Sequence, residues 1–302
     1  MNLTDTFPVR YTEPVWRPPS EAESLILPVT DGCSWNRCAF CEMYTAPQKK
    51  FRARPEEEVL ESIRRLGEHP SGRTARRVFL ADGDAMALPA RRLLAVLAAI
   101  REHLPNVRRV SSYCLPRNLK KKNVEELRSL ADAGLKLAYV GAESGDDTVL
   151  ERVAKGETFE STREGLEKLG QAGITRSVMI LNGLGGARHS EAHALRSAEL
   201  ANAAQPEFLA TLVVSFPKGD TRLRTAFPDW EPLDVPGLLR EMEQFITRLA
   251  LRCTVFRSDH ASNWLSLRGN LPQDKENMLA QLREAIAAPQ TAPLRPAWAR
   301  GL

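Results

Sequence analysis

Between residues 25 and 216, short apolar runs alternate with longer stretches of helical periodicity. The short runs are LILPVT (25–30), RRVFLAD (76–82), VRRVSSY (107–113), LKLAYVG (135–141), ITRSVMILN (174–182) and FLATLVVSF (208–216). Each is short and apolar, and predicts a buried strand. Helical patterns fall between them at 55–68, 89–103, 123–133, 146–153, 159–172 and 188–203. Pro55 opens the first, with Glu56, Glu57 and Glu58 where carboxylates meet the positive end of the helix dipole. Gly134 and Gly173 stand where helices at 123–133 and 159–172 close. Six β-α repeats in about 190 residues are close to what βαβ units require, and right-handed crossovers then give a parallel sheet with helices outside. The pattern does not separate an open doubly wound sheet from a barrel. In both, ligands bind at the C-terminal ends of the strands.

The flanks read differently. Residues 1–24 predict an extended arm, because Pro8, Pro14, Pro18 and Pro19 exclude a regular helix. Tyr11 and Trp16 are expected to dock it. After 216 the alternation stops. A helix is predicted at 236–250, a strand outside the core at 253–258 and a last helix at 273–287. The expected organisation is an arm (1–24), one α/β core (25–216) and a C-terminal extension packed on it (217–302). No solenoid period is present.

Composition removes several classes. The chain has 302 residues, 43% apolar and 26% charged, near the globular average, which argues against disorder, collagen and coiled coil. The net charge of +4 is too small to argue for nucleic acid by itself. There is no basic-then-apolar leader at the N-terminus and no uncharged apolar run of about 18 residues, so the expectation is a cytoplasmic protein without a membrane partner. Five cysteines in a chain this long do not make a disulfide scaffold; in a reducing compartment they more often bind metal or do chemistry.

Three of the five fall in Thr30-Asp31-Gly32-Cys33-Ser34-Trp35-Asn36-Arg37-Cys38-Ala39-Phe40-Cys41, a C-x4-C-x2-C spacing directly after the first strand. A loop at a strand end can wrap three thiolates around one metal centre. Structural zinc takes four protein ligands, typically as two separated pairs, and no partner pair is present. A cubane [4Fe–4S] cluster normally takes four cysteines, so three leave one iron open to an outside ligand.

From the arm to about residue 215 the sequence resembles the radical S-adenosylmethionine (SAM) superfamily. The usual spacing there is C-x3-C-x2-C, and this chain has one extra residue in the first gap. It is similar to a branch that shares the longer spacing, the Trp16–Ala22 arm and the Thr30–Tyr44 loop, near the oxygen-independent coproporphyrinogen oxidase and Elongator-catalytic-subunit type cores. Segments 257–263 and 271–275 resemble the same branch. The resemblance implies a partial (β/α)6 TIM-like barrel in which Cys33, Cys38 and Cys41 hold a [4Fe–4S] cluster. SAM would chelate the fourth iron and be cleaved reductively to a 5′-deoxyadenosyl radical that abstracts hydrogen from a substrate. It also implies a reductant protein such as flavodoxin or ferredoxin.

Site roles follow from the same resemblance. The Phe40 backbone would meet the adenine and its ring would shield the cluster. Asp82-Gly83-Asp84 occupies the place of a Gly-Gly-Glu type motif whose carbonyls receive the SAM ammonium, though Asp-Gly is also ordinary turn chemistry. Ser112, after the third strand, and Glu143, after the fourth, would lie near SAM. Lys155 would meet its carboxylate, with Glu143 the stronger choice of the two. Asn182 opens the Asn182–Gly186 loop, which would line the adenine pocket. That loop is not a dinucleotide fingerprint.

The remaining features carry bland readings. His189 and His193 share a helix face without the H-E-x-x-H glutamate and read as a solvated helix start. Cys114, at a strand end, is a weak catalytic candidate and reads more safely as core; Cys253 reads as buried. Two cysteines so far apart cannot hold an auxiliary cluster, so one cluster is expected. The basic stretch from Arg101 to Arg128 reads as a solvated face, which leaves a small-molecule substrate favoured over nucleic acid. Two other readings stay open: a non-catalytic zinc or Fe–S redox module, and a radical SAM enzyme that modifies RNA.

Overall fold

The computed structural model describes residues 7–301. The chain forms two compact units. The first takes the chain up to Asn36, Cys41–Tyr139 and Lys168–Thr175. It holds β1 (Leu25–Pro28), a short antiparallel pair of β2 (Thr30–Asp31) and β3 (Arg52–Ala53), α1 (Glu56–Glu68), α2 (Pro70–Thr74), β4 (Arg77–Ala81), α3 (Ala90–His103), β5 (Arg109–Tyr113), α4 (Val124–Asp132) and the start of β6 (Leu135–Glu143). β1, β4, β5 and β6 pair in parallel, with Leu27 opposite Leu80 and Phe79 opposite Ser111.

Local chemistry accounts for these elements. In α1, Val59, Ile63 and Leu66 recur on one face and are buried, and α1 packs on α3. Burying each such side chain contributes about 1.5–3 kcal/mol. α4 starts with a capping box: Asn123 Oδ1 accepts from the Glu126 amide at 2.8 Å, and Glu126 Oε2 accepts from the Asn123 amide at 2.9 Å.

The arm docks as its aromatics predict. The Tyr11 hydroxyl donates to Ile26 O (3.0 Å) and Trp16 Nε1 to Met43 O (2.8 Å). One 3₁₀ turn, Pro19–Glu21, interrupts it and buries Glu21, which accepts from the Tyr139 hydroxyl (2.6 Å) and Arg109 (2.7 Å). Ile26, Phe79, Ala81, Leu137 and Tyr139 form one apolar cluster, against which Val15 of the arm packs.

The second unit takes Arg37–Phe40, Val140–Glu167 and the chain from Arg176 onward. It holds the end of β6, α5 (Asp147–Arg152), α6 (Phe159–Gln171) as far as Glu167, β7 (Thr175–Asn182) from Arg176, α7 (Gly186–Ala204), β8 (Phe208–Val213), α8 (Thr221–Ala226), α9 (Val235–Arg248), β9 (Thr254–Ser258), β10 (Leu267–Leu271) and α10 (Lys275–Ala287). β7 and β8 pair in parallel with Ile180 opposite Thr211. β6 runs through both units, so the strand order is β1-β4-β5-β6-β7-β8-β9-β10. Flanked by helices, this is a partial TIM-like α/β fold.

Two expectations need correction. The strand predicted outside the core is β9, which pairs in parallel with β8 and continues the sheet, Leu209 opposite Phe256. α9 supplies the crossover: Leu238, Leu239, Met242, Phe245 and Ile246 bury one face of it. β10 follows antiparallel to β9 and had no clear sequence signal, since Gly269 and Asn270 sit inside it. Cys253, expected to be buried, is exposed because it lies one residue before β9 begins.

Candidate active site

The cysteine loop leaves β2 at Gly32, whose φ of +70° and close approach to Lys49 O exclude a side chain there. Asn36 turns the loop at φ +47°, and its amide donates to Tyr44 O at 2.8 Å. The Ala39 amide donates to Val153 O (2.8 Å), and Arg222 donates to Cys38 O (3.3 Å). Ala39 is buried with Val149, Val153 and Leu184, and Phe40 packs on the same cluster. Cys33, Cys38 and Cys41 are all half-buried. Among the described residues no three Cys, His, Asp or Glu side chains converge as on one metal ion.

In the first unit, Asp82-Gly83-Asp84 follows β4. The solvated-turn alternative for it is overturned: Asp82 and Asp84 are buried. Lys49, itself buried, pairs with Asp82 Oδ2, while Asp82 Oδ1 has no partner among the described residues. Asp84 accepts from Ser34 and Asn118. Burial raises both carboxyl pKa values, with Lys49 opposing this at Asp82 and Ser34 opposing it at Asp84. Gly83 has a φ of +84°, and a Cβ there would lie 2.7 Å from Gly32 O and 2.8 Å from Tyr44 Cζ. Asp84 is thus held at both oxygens and Asp82 at one, and two of the turn's carbonyls are engaged as well, Asp82 O by the Thr30 hydroxyl (2.9 Å) and Asp84 O by the Ala87 amide (3.1 Å), so the turn offers a ligand mainly the Gly83 carbonyl and Asp82 Oδ1.

Tyr44 is buried and its hydroxyl has no hydrogen-bond partner among the described residues. Burial raises its pKa, and Tyr113, Asp82, Cys41 and Cys33 add to the effect. Ser112 is buried, and its hydroxyl lies near two backbone oxygens, Tyr113 O (2.8 Å) and Leu80 O (3.3 Å). Cys114 is buried, its thiol donating to Leu115 O at 3.6 Å. The basic stretch is not one solvated face. Lys122 is buried and donates to Met86 O (2.8 Å), Arg109 pairs with Glu21, and the Arg117 guanidinium stacks 3.7 Å from the Trp35 ring. Burial lowers the Lys122 pKa.

In the second unit, Glu143 ends β6 with a φ of +65°, unusual for a glutamate. Its Oε1 lies 2.9 Å from Lys155 Nζ, and the pair is almost wholly buried. Lys155 Nζ also lies 5.9 Å from the Phe40 ring centroid. The structure therefore brings together three residues the sequence proposed separately. Asn182, at the end of β7, is held instead by Glu241: its amide donates at 2.6 Å, as does the Gly183 amide, and the Ser190 hydroxyl reaches the other carboxylate oxygen at 2.6 Å. His193 does not sit in a solvated helix start. It is buried, with Nδ1 2.8 Å from the Ser144 hydroxyl and Nε2 3.8 Å from Glu241. His189 is half-buried with Nε2 unpartnered among the described residues, its ring 5.6 Å from that of Phe227.

Tyr44, Lys49, Asn118 and Glu241 were not singled out from the sequence. Glu241 had a signal, an acid flanked by the apolar face of α9; the other three had none. The fit to an iron–sulfur group with a chelating cosubstrate rests on what is present: three half-buried thiols in one strand-end loop, orphaned polar atoms on Tyr44 and Asp82, and a Gly32–Gly83 approach that a Cβ would close.

Residues 27–201, more than half of the chain, match the family model of the Radical SAM superfamily, and the chain belongs to that family. It is an enzyme of the radical SAM class, whose members bind a [4Fe–4S] cluster and SAM and generally use a reductant. Among solved structures it is similar to coproporphyrinogen III oxidase (HemN) from Escherichia coli, a radical SAM enzyme, with 17% identity and a TM-score of 0.56 over 74% of this chain and 52% of that one. It is also similar to native anSMEcpe with bound AdoMet, with 15% identity and a TM-score of 0.50 over 74% of this chain and 59% of that one. At such identities the likeness is one of fold, and the chain spans less than two thirds of either structure. No curated protein matches it. No helix among the described residues is long and apolar enough to cross a membrane.

Proposed function

We propose that the chain holds one [4Fe–4S] cluster on Cys33, Cys38 and Cys41 and binds SAM beside it, acting on a small molecule in a reducing, cytoplasmic setting with electrons from a carrier such as flavodoxin or ferredoxin. The observation that carries this reading is the three-thiol loop at a strand end of a radical SAM fold, anchored at both ends by backbone and side-chain contacts. When bound, the cluster and SAM supply reductive cleavage of SAM and abstraction of a substrate hydrogen.

The chain's residues then divide the work. Cys33, Cys38 and Cys41 provide thiolates, which softer metals prefer. Packing of Ala39 and Phe40 fixes the loop, leaving the Phe40 backbone to meet the adenine. Lys49 and Asn118 hold Asp82 and Asp84 and so fix the turn, which leaves the Gly83 carbonyl to receive the SAM ammonium. Glu143 and Lys155 supply opposite charges in a low-dielectric setting, where each strengthens contact with an amino-acid or ribose group. Glu241 fixes Asn182 at the end of β7. Ser112 braces β4 against β5, since its hydroxyl is within reach of a β4 carbonyl.

A small-molecule substrate is favoured over RNA because the basic residues of 101–128 are partly internal. The test is anaerobic reconstitution with iron and sulfide, followed by dithionite and SAM. Wild type is expected to form 5′-deoxyadenosine well above a Cys38→Ala control; equal amounts would overturn the assignment. A colourless, zinc-loaded protein would favour the metal-module reading, and salt-dependent RNA affinity would favour the RNA-modifying one.

A further inference from the structure

We infer that the Tyr44 hydroxyl donates a hydrogen bond to the sulfur of the cluster or of its cysteine ligands, and so sets the reduction potential of the cluster. This rests on the proposed cluster site. Tyr44 is three residues beyond Cys41 and is 5% exposed. Its ring lies against the Gly83 turn, where a Cβ would come within 2.8 Å of Cζ, so the ring is pinned. Its hydroxyl is one of few buried side-chain atoms with no partner among the described residues. The groups that act on it electrostatically are Tyr113, Asp82, Cys41 and Cys33.

Leaving a buried hydroxyl unpaired costs stability, and phenylalanine would fill the same space without that cost. A buried tyrosine three residues beyond Cys41, its hydroxyl within electrostatic reach of two of the three thiols, therefore has a partner to gain when those thiols carry metal. A phenol keeps its proton throughout the neutral range, so it acts as a donor. Hydrogen bonds to the sulfurs are among the levers that set cluster potentials. The reduced cluster carries one more negative charge and accepts the stronger bond, so the donor stabilises the reduced state and raises the potential. Asp82 Oδ1, also unpartnered, is the competing acceptor; a bond there leaves the potential unchanged.

The experiment uses the full-length chain, reconstituted anaerobically and without SAM. Iron and sulfide per chain are measured first, and the midpoint potential is then read by an EPR-monitored titration. Tyr44→Phe at wild-type iron content is expected to shift the one-electron equilibrium about tenfold toward the oxidised cluster, ~59 mV more negative. The coupling of an exchangeable deuteron to the reduced cluster, seen by pulsed EPR in D₂O, is expected to be lost with it. Should Tyr44→Phe load poorly, 3-fluorotyrosine placed at position 44 gives a more acidic, stronger donor, and the potential is expected to rise. Unchanged potential at equal iron content in either protein would overturn the inference while leaving the cluster reading intact. Failure of wild type to load iron would instead overturn the cluster reading itself.

Discussion

Lys155 and Glu143 show what a single residue contributes at a strand end. Each is almost fully buried, and each is tolerable there because the other is present. Removing one partner of a buried pair leaves an uncompensated charge, which typically costs about 3–5 kcal/mol, whereas replacing both can be nearly neutral. Lys155→Met is therefore expected to lower unfolding stability by about that amount in urea titrations. Lys155→Met combined with Glu143→Gln is expected to recover most of the loss. The resemblance offered both residues from the sequence, with Glu143 the stronger choice. That they are partners was not legible, because twelve residues and a helix separate them. His193 and Lys122 failed in the same way. A histidine on a helix or a lysine in a basic run reads as surface until a distant serine or carbonyl is shown to receive it.

At the scale of elements, the loops that position the site are fixed by backbone approach. Gly83→Ala would force a side chain into a positive φ and against Gly32 O, so at least about 1–3 kcal/mol of strain is expected. The check is a lowered thermal midpoint together with weaker iron retention during reconstitution. α9 is tied to the end of β7 by one carboxylate. Glu241→Leu would strand the Asn182 amide, the Gly183 amide and the Ser190 hydroxyl, each at about 1–3 kcal/mol where it stays buried. Glu241→Gln, which keeps an acceptor, is expected to cost clearly less by chemical denaturation. The sequence read almost every strand and helix of the β-α alternation correctly because period and caps are local. It missed β3, α2, α8 and β10, which are short and lack strong propensity, and it misplaced β9, because partner choice is not local.

Over the whole chain, the C-terminal third is part of the sheet, not a cover. β9 pairs with β8, and α9 buries its apolar face against α7 and α10. A chain ended at residue 216 would leave β8 as an open edge and expose that face. It is expected to aggregate or stay unfolded by circular dichroism and size exclusion, where a separable extension would leave a folded core. Arg176 and Glu207 clamp the start of β7 to the start of β8. At Glu207, burial acts to raise the pKa, but hydrogen bonds and charge from Arg176 outweigh it and hold the carboxyl below its ordinary value. The folded pKa is thus below the unfolded one of about 4.3. The stabilisation is present above that value and is lost as pH falls through the lower folded pKa. The stability difference between wild type and Glu207→Gln is expected at pH 7 and to shrink toward pH 3.

The sequence by itself determined the alternating α/β architecture, the three thiols in one strand-end loop and the radical SAM family, since each rests on residues near one another in the chain. Only the tertiary structure decided which polar groups are spent on the fold and which remain for a ligand. It used the Asp84 and Asn182 side chains and one Asp82 oxygen locally, paired Glu143 with Lys155, and left the Tyr44 hydroxyl and Asp82 Oδ1 without a partner among the described residues. Burial and pairing are properties of the folded surroundings, set by residues tens of positions away.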